Sequence, residues 1–210
     1  MMSTPANLQS SALDEETARS ELYGLLALMY YAQPAIDLIA QLRVAATDSP
    51  VTGAFLEEPW RALVGVAREM PDAAIQSEYD ALFGGVGKPE VYLFGSHYLS
   101  GFLNEKPLAR LRTDLAQLGL SRDDSMSETE DHFAYLCEVM RYLIAGDDVA
   151  VANLTHQREF FSVHIQPWVA SLCDELEKNP QARFYAALAA LTRAFVSIEA
   201  QGFDMLDGSI

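Results

Sequence analysis

Four histidines, two cysteines and one glycine-rich run are the first places where catalysis or ligation could sit. Gly84-Gly85-Val86-Gly87-Lys88 only loosely resembles a phosphate loop. A dinucleotide loop needs a preceding strand and G-x-G-x-x-G spacing, and a Walker loop needs Ser or Thr after its Lys. Here Pro89 follows Lys88 and a helical pattern precedes the glycines, so the run reads as a loop ending a helix. Helical di-iron sites pair E-x-x-H motifs. Three positions before His97, His132, His156 and His164 stand Phe94, Thr129, Asn153 and Phe161, so that pattern is absent. Glu128 with His132 and His156 with Glu159 suit surface or capping pairs, with metal ligation as the alternative. Ser96 in Gly95-Ser96-His97 lacks the G-x-S-x-G frame of a hydrolase nucleophile. No catalytic residue, metal ligand or cofactor is assigned from these patterns. Cys137 and Cys173 form no C-x-x-C pair and sit in apolar helical patterns, as reduced core thiols do.

Charge narrows the partners. Fourteen Lys and Arg against thirty Asp and Glu give a net charge of −16. That excludes a general nucleic-acid binder, which needs clustered cations to neutralise phosphates. It disfavours anionic membrane surfaces and favours a basic peptide or a basic protein patch. The longest apolar stretches, such as Phe184 to Leu191, are too short to cross a bilayer. Met1 to Ala12 lacks the basic and apolar regions of a secretory signal, so a cytoplasmic location is expected.

The elements that must position these groups read as helices throughout. Leu22, Leu25, Leu26 and Met29 fall on one helical stripe, after a polar tail expected over residues 1–13. Ile36, Ile39, Ala40 and Arg43 suggest a second helix, and Asp48-Ser49-Pro50 a turn. Pro59, Pro71 and Pro107 mark helix starts, and Pro167-Trp168 opens or kinks another. Leu99, Phe102 and Leu103 suggest a helical stretch after the aromatic segment of Tyr92, Phe94 and Tyr98. Ser127-Glu128-Thr129-Glu130 matches a capping box, with Ser127 and Glu130 satisfying each other's N–H groups. The helix it opens carries Phe133, Leu136, Met140, Leu143 and Ile144. Gly146-Asp147-Asp148 stops that helix and starts the next. Phe184, Leu188, Leu191, Phe195 and Ile198 share one side of a final long helix. No strand period is sustained. The expected fold is all-α, one domain over residues 14–210 with nine or ten helices and a polar hinge at 119–127.

Aromatics and acids concentrate in two segments, Tyr79 to Tyr98 and Glu128 to His132. Aromatics outside regular stripes suit an apolar peptide groove, and carboxylates beside it suit Arg or Lys. Core packing and helix capping are the competing reading. Tyr79-x-x-Leu82-Phe83, a glycine loop, Pro89 and Ser96-x-Tyr98 resemble the first signature of the TorD/DmsD family of molybdoenzyme-specific chaperones. Glu128-x-x-Asp131-His132 resembles the second, with Thr129 where the family often has Pro. Phe160-Phe161-x-x-His164-x-x-Pro167-Trp168 and the helix beginning Phe184-Tyr185 are similar to its later segments.

That resemblance implies an all-helical cytoplasmic chaperone and not an enzyme. Its partner would be the precursor of a molybdopterin-containing oxidoreductase, bound through signal peptide and apoenzyme body. Cofactor insertion would be assisted and twin-arginine export delayed. The resemblance nominates Tyr79, Leu82 and Phe83 as groove wall, and Pro89, Ser96 and Tyr98 as the adjacent loop. Asp131 and His132 become contact residues, with Glu128 shared between capping and binding. The alternative for Asp131 and His132 is that they lock the two signature segments together. A helical metal-dependent enzyme and a helical adaptor remain the competing functions. A monomer and a homodimer formed by helix exchange are both compatible with the hinge.

Overall fold

The computed structural model describes residues 6–47, 56–84, 88–103, 105–123 and 126–207. The Asp48-Ser49-Pro50 turn, Gly85-Val86-Gly87, the first five residues and positions 124–125 of the expected hinge lie outside them. Ten helices run in order: α1 Ala6–Tyr31, α2 Ile36–Val44, α3 Glu57–Glu69, α4 Asp72–Phe83, α5 Gly95–Ser100, α6 Lys106–Gln117, α7 Phe133–Ala145, α8 Leu154–His164, α9 Gln166–Lys178 and α10 Phe184–Asp207. Among the described residues no strand forms, and an isolated antiparallel bridge joins Phe94 to His132.

The punctuation follows local chemistry. Pro107 and Pro167 sit in the first turns of α6 and α9, where a missing N–H costs nothing. The Asn153 side chain caps α8 by accepting from the His156 N–H at 3.1 Å, so that helix begins several residues beyond Asp148. Gly101, at φ +78°, ends α5. Phe102 and Leu103 therefore lie beyond a helix expected to include them, and both are exposed. α1 begins at Ala6, well before Asp14. The intervening residues contain no Gly or Pro to halt propagation, so part of the segment read as a tail is helical.

The expected capping box is overturned. Ser127 and Glu130 form no capping box, because α7 starts at Phe133. The bridge holds the chain extended at His132: Phe133 N–H donates to the Leu93 carbonyl at 2.7 Å and Gly95 N–H to the Asp131 carbonyl at 2.9 Å. The cap is His132, whose Nδ1 accepts from the Ala134 N–H at 3.2 Å. Glu130 turns instead to Arg112 on α6.

α1 lies antiparallel against both α7 and α10. Tyr31 meets Tyr135 at one end of α7, while Gly24 faces Arg141 towards the other. On the adjoining side Tyr185, Thr192 and Glu199 of α10 bond in turn to the Met29 carbonyl, Tyr30 and Tyr23. Two buried faces on one helix explain why Tyr23 and Tyr30 are core residues alongside Leu26 and Met29. The same apolar cluster includes Leu108 and Leu111 before the 119–126 segment, and Phe133, Leu172 and Phe195 after it. Glu78 on α4 stabilises the start of α10, accepting from the N–H groups of Arg183, Phe184 and Tyr185 at 2.8, 3.1 and 2.7 Å.

Candidate functional site

The two signature segments meet at the Phe94–His132 bridge. Asp131 is 3% exposed, and both oxygens of its carboxylate are engaged: Oδ2 accepts from the Ser96 N–H at 2.9 Å and Oδ1 from the Thr129 hydroxyl at 2.6 Å. It thereby caps α5, whose own N-cap, Phe94, supplies no side-chain acceptor. His132 is equally buried, with its backbone N–H on the Thr129 carbonyl. Burial lowers its pKa to about 4, with the Asp131 charge opposing weakly, so the ring is neutral at pH 7. A neutral ring accepting at Nδ1 carries its proton on Nε2. Asp131 and His132 therefore lock the two segments here, and neither has a vacant face for a bidentate guanidinium.

Leu82 and Ser96 are buried as well, so Leu82 is core and not groove wall. What remains partly open is an aromatic face around His132. Tyr31, 44% exposed at the end of α1, stands 5.6 Å from the Tyr135 ring and 6.5 Å from His132. Phe94 meets His132 edge-on at 5.1 Å. The Tyr79 hydroxyl donates to the Tyr31 carbonyl at 2.9 Å, and Phe83 packs on the Tyr79 ring. Burial, then the charges of Glu128 and Asp80, push the Tyr79 phenol up to about 12, so a carboxylate field reaches this face. Glu128 is half-buried and lies outside any helix, so it shares no helical face with His132.

Pro89 and Tyr98 take a different direction. Pro89 is half-buried in the segment leading to α5, and Tyr98 stacks on Trp168 of α9 at 5.3 Å. Its hydroxyl reaches Glu175 at 2.8 Å and the Tyr92 carbonyl at 2.9 Å. Sequence reasoning thus gathered nine residues of which Tyr79, Phe83 and Glu128 belong to the open face. It missed Tyr31 and Tyr135. Tyr135 follows Asp131-His132 by one helical turn, and Tyr31 ends α1 just before Gln33-Pro34, the two signals that would have found them.

The histidines are spread widely. His97 stacks on Tyr92, His156 engages the Val151 carbonyl and His164 bonds Asp114. Among the described residues no cluster of three or more His, Cys, Asp or Glu suits a metal ion.

A family model described as Nitrate reductase delta subunit matches residues 53–174, more than half of the chain and both signature segments. The chain belongs to this family. Its TorD-type relatives include chaperone protein TorD of Vibrio cholerae serotype O1, 22% identical over 204 residues, covering 90% of this chain and 93% of that protein. TorD of Vibrio parahaemolyticus is 21% identical over 133 residues, covering 60% of this chain and 62% of its own. A crystal structure described as a redox enzyme maturation protein from Archaeoglobus fulgidus shares the fold, with TM-score 0.53 and 19% identity over 87% of this chain and 93% of that one. The family model thus gives the family, and the Archaeoglobus fulgidus structure gives the fold. No described helix is long and apolar enough to cross a membrane.

Proposed function

We propose that the protein acts in the cytoplasm as a chaperone, not an enzyme, for the precursor of a molybdopterin-containing oxidoreductase. It binds the client's signal peptide and apoenzyme body, favours cofactor insertion and delays twin-arginine export until maturation. The observation that supports this most is the half-open aromatic face of Tyr31, Tyr79, Phe94 and Tyr135 beside Glu128, on a chain carrying sixteen net negative charges. Aromatic rings give an apolar segment a large contact area with little side-chain entropy to lose, and the acidic field draws its arginines in. Asp131 and His132 serve that face by fixing the loops beneath it.

Titration of a synthetic leader peptide, two adjacent arginines before an apolar run, followed by fluorescence anisotropy tests the reading. Saturable binding is expected, weakened at least tenfold by Tyr31→Ala, together with co-purification of a molybdopterin oxidoreductase catalytic subunit from the native host. Absence of both leader binding and that subunit overturns it.

A further inference from the structure

A groove of about 320 Å³ runs beside the aromatic face, between the chain leaving α6 and the outer side of α7. Leu115, Leu120, Met126, Tyr135, Val139 and Tyr142 form its apolar lining, and Tyr135 also belongs to the aromatic face. At this groove the half-buried Glu130 carboxylate is held by Arg112 through two parallel bonds, Nε to Oε1 at 3.0 Å and Nη2 to Oε2 at 2.9 Å. The Arg112 side chain is 52% exposed and that of Glu130 only 13%, so the arginine plugs the carboxylate from the solvent side. Burial raises the Glu130 pKa, and the Arg112 bonds, its own backbone N–H and the charges of Arg112 and Arg122 together more than offset it, leaving the carboxylate below its ordinary range and charged. Glu138 and Arg122 complete the rim, Glu138 paired with Arg141 at 3.3 Å and Arg122 bonded to the Glu128 carbonyl at 3.0 Å.

We propose that this groove takes the apolar stretch of the client's leader and that Glu130 takes an arginine preceding it, with Arg112 occupying that place while the groove is empty. The inference rests on the leader-binding reading above and adds where the leader lies and what it displaces. Charge complementarity argues for a cationic occupant: the slot is already shaped around a guanidinium, whose planar fork matches a carboxylate bidentately. Exchanging one arginine for another keeps both bonds, so Arg112 does not forbid binding. It makes the vacant slot a minority state, and apparent affinity falls in proportion to that population.

Two leader peptides, one with its arginines and one with both changed to glutamine, are titrated by anisotropy against the parent chain and four variants, each checked for folding by its melting curve. Arg112→Met, which keeps an apolar stem, is expected to bind the arginine peptide three- to tenfold more tightly than the parent chain and to leave the glutamine peptide unchanged. Glu130→Gln is expected to erase the difference between the peptides, and Val139→Glu to weaken both at least tenfold. Val139→Ser, a smaller change, should weaken both several-fold if the glutamate variant melts early. Unchanged or weaker arginine-peptide binding by Arg112→Met, or no effect at Val139 in folded chains, overturns the groove assignment while leader binding itself stands. Failure of both peptides to bind the parent chain overturns the leader-binding reading and the groove with it.

Discussion

Asp131 caps α5 by accepting the Ser96 N–H at 2.9 Å, although the two residues lie 35 positions apart. With the Thr129 hydroxyl on the other oxygen, this carboxylate ties both signature segments into one unit. Asp131→Ala leaves a buried N–H without its acceptor and removes a charge-assisted bond, a loss of about 3 kcal/mol. For a chain of this size that corresponds to a fall in melting temperature of roughly 6–12 °C. Asp131→Asn, which keeps one acceptor oxygen, should lose about 1 kcal/mol. Thermal melts of both variants check this. A melting curve unchanged by Asp131→Ala, with leader binding lost, would return Asp131 to the role of direct contact.

His132 makes stability depend on acidity. Burial holds the ring pKa at about 4 in the folded chain, against an ordinary value of 6.5. Between those values the unfolded chain takes up a proton that the folded one refuses, so acid favours unfolding. The contribution is present above pH 6.5 and is lost as pH falls towards 4, a total of about 3 kcal/mol. Protonation at Nδ1 also removes the acceptor that caps α7. His132→Asn keeps a capping oxygen without the titration. Between pH 7.5 and 5 the parent chain should lose about 2 kcal/mol more than the variant in urea unfolding. Parallel losses would show that His132 does not titrate in this range.

The helices were legible where one face decides the pattern. Phe184, Leu188, Leu191 and Phe195 are all buried as their spacing requires, and the prolines mark helix starts as their ring geometry demands. α1 blurred the pattern because α7 and α10 bury two of its faces, which drew Tyr23 and Tyr30 inside. The capping box failed for a tertiary reason: the backbone pairing of residues 131–133 with Leu93 and Gly95 outweighs a local motif. The site divided in the same way. Motif matching located both segments, but whether Asp131 meets a ligand or a backbone N–H depends on where α5 lies, and no local spacing records that.

Glu78 offers a test of a cap supplied across the fold. Its carboxylate, 7% exposed, accepts three N–H groups at the start of α10, where the helix dipole also favours a negative charge. Glu78→Ala strands those donors and is expected to cost about 3 kcal/mol, and Glu78→Gln about half of that. Urea unfolding of the two variants measures the difference. Equal, small losses below about 0.5 kcal/mol would mean that water serves those donors as well as the carboxylate does.

Gly95 is required by its neighbour and not by its own backbone. A Cβ at this position would stand 3.0 Å from Trp168 Nε1 and 3.2 Å from Cε2. Trp168 has little room to move: its Nε1–H donates to the His164 carbonyl at 2.7 Å, and its ring stacks on Tyr98. Gly95→Ala should therefore cost about 1–3 kcal/mol through overpacking. Gly65, within α3, has no atom within 4 Å of the same added group, so Gly65→Ala should instead stabilise the chain by about 0.5–1 kcal/mol. In a Trp60→Phe background the emission reports Trp168 alone, because the sequence has two tryptophans. Gly95→Ala should shift that emission to the red as the indole loses its carbonyl partner and its packing. An unshifted spectrum with unchanged stability would mean that Trp168 yields to the methyl without loss, and that this close approach does not hold α5 against α9.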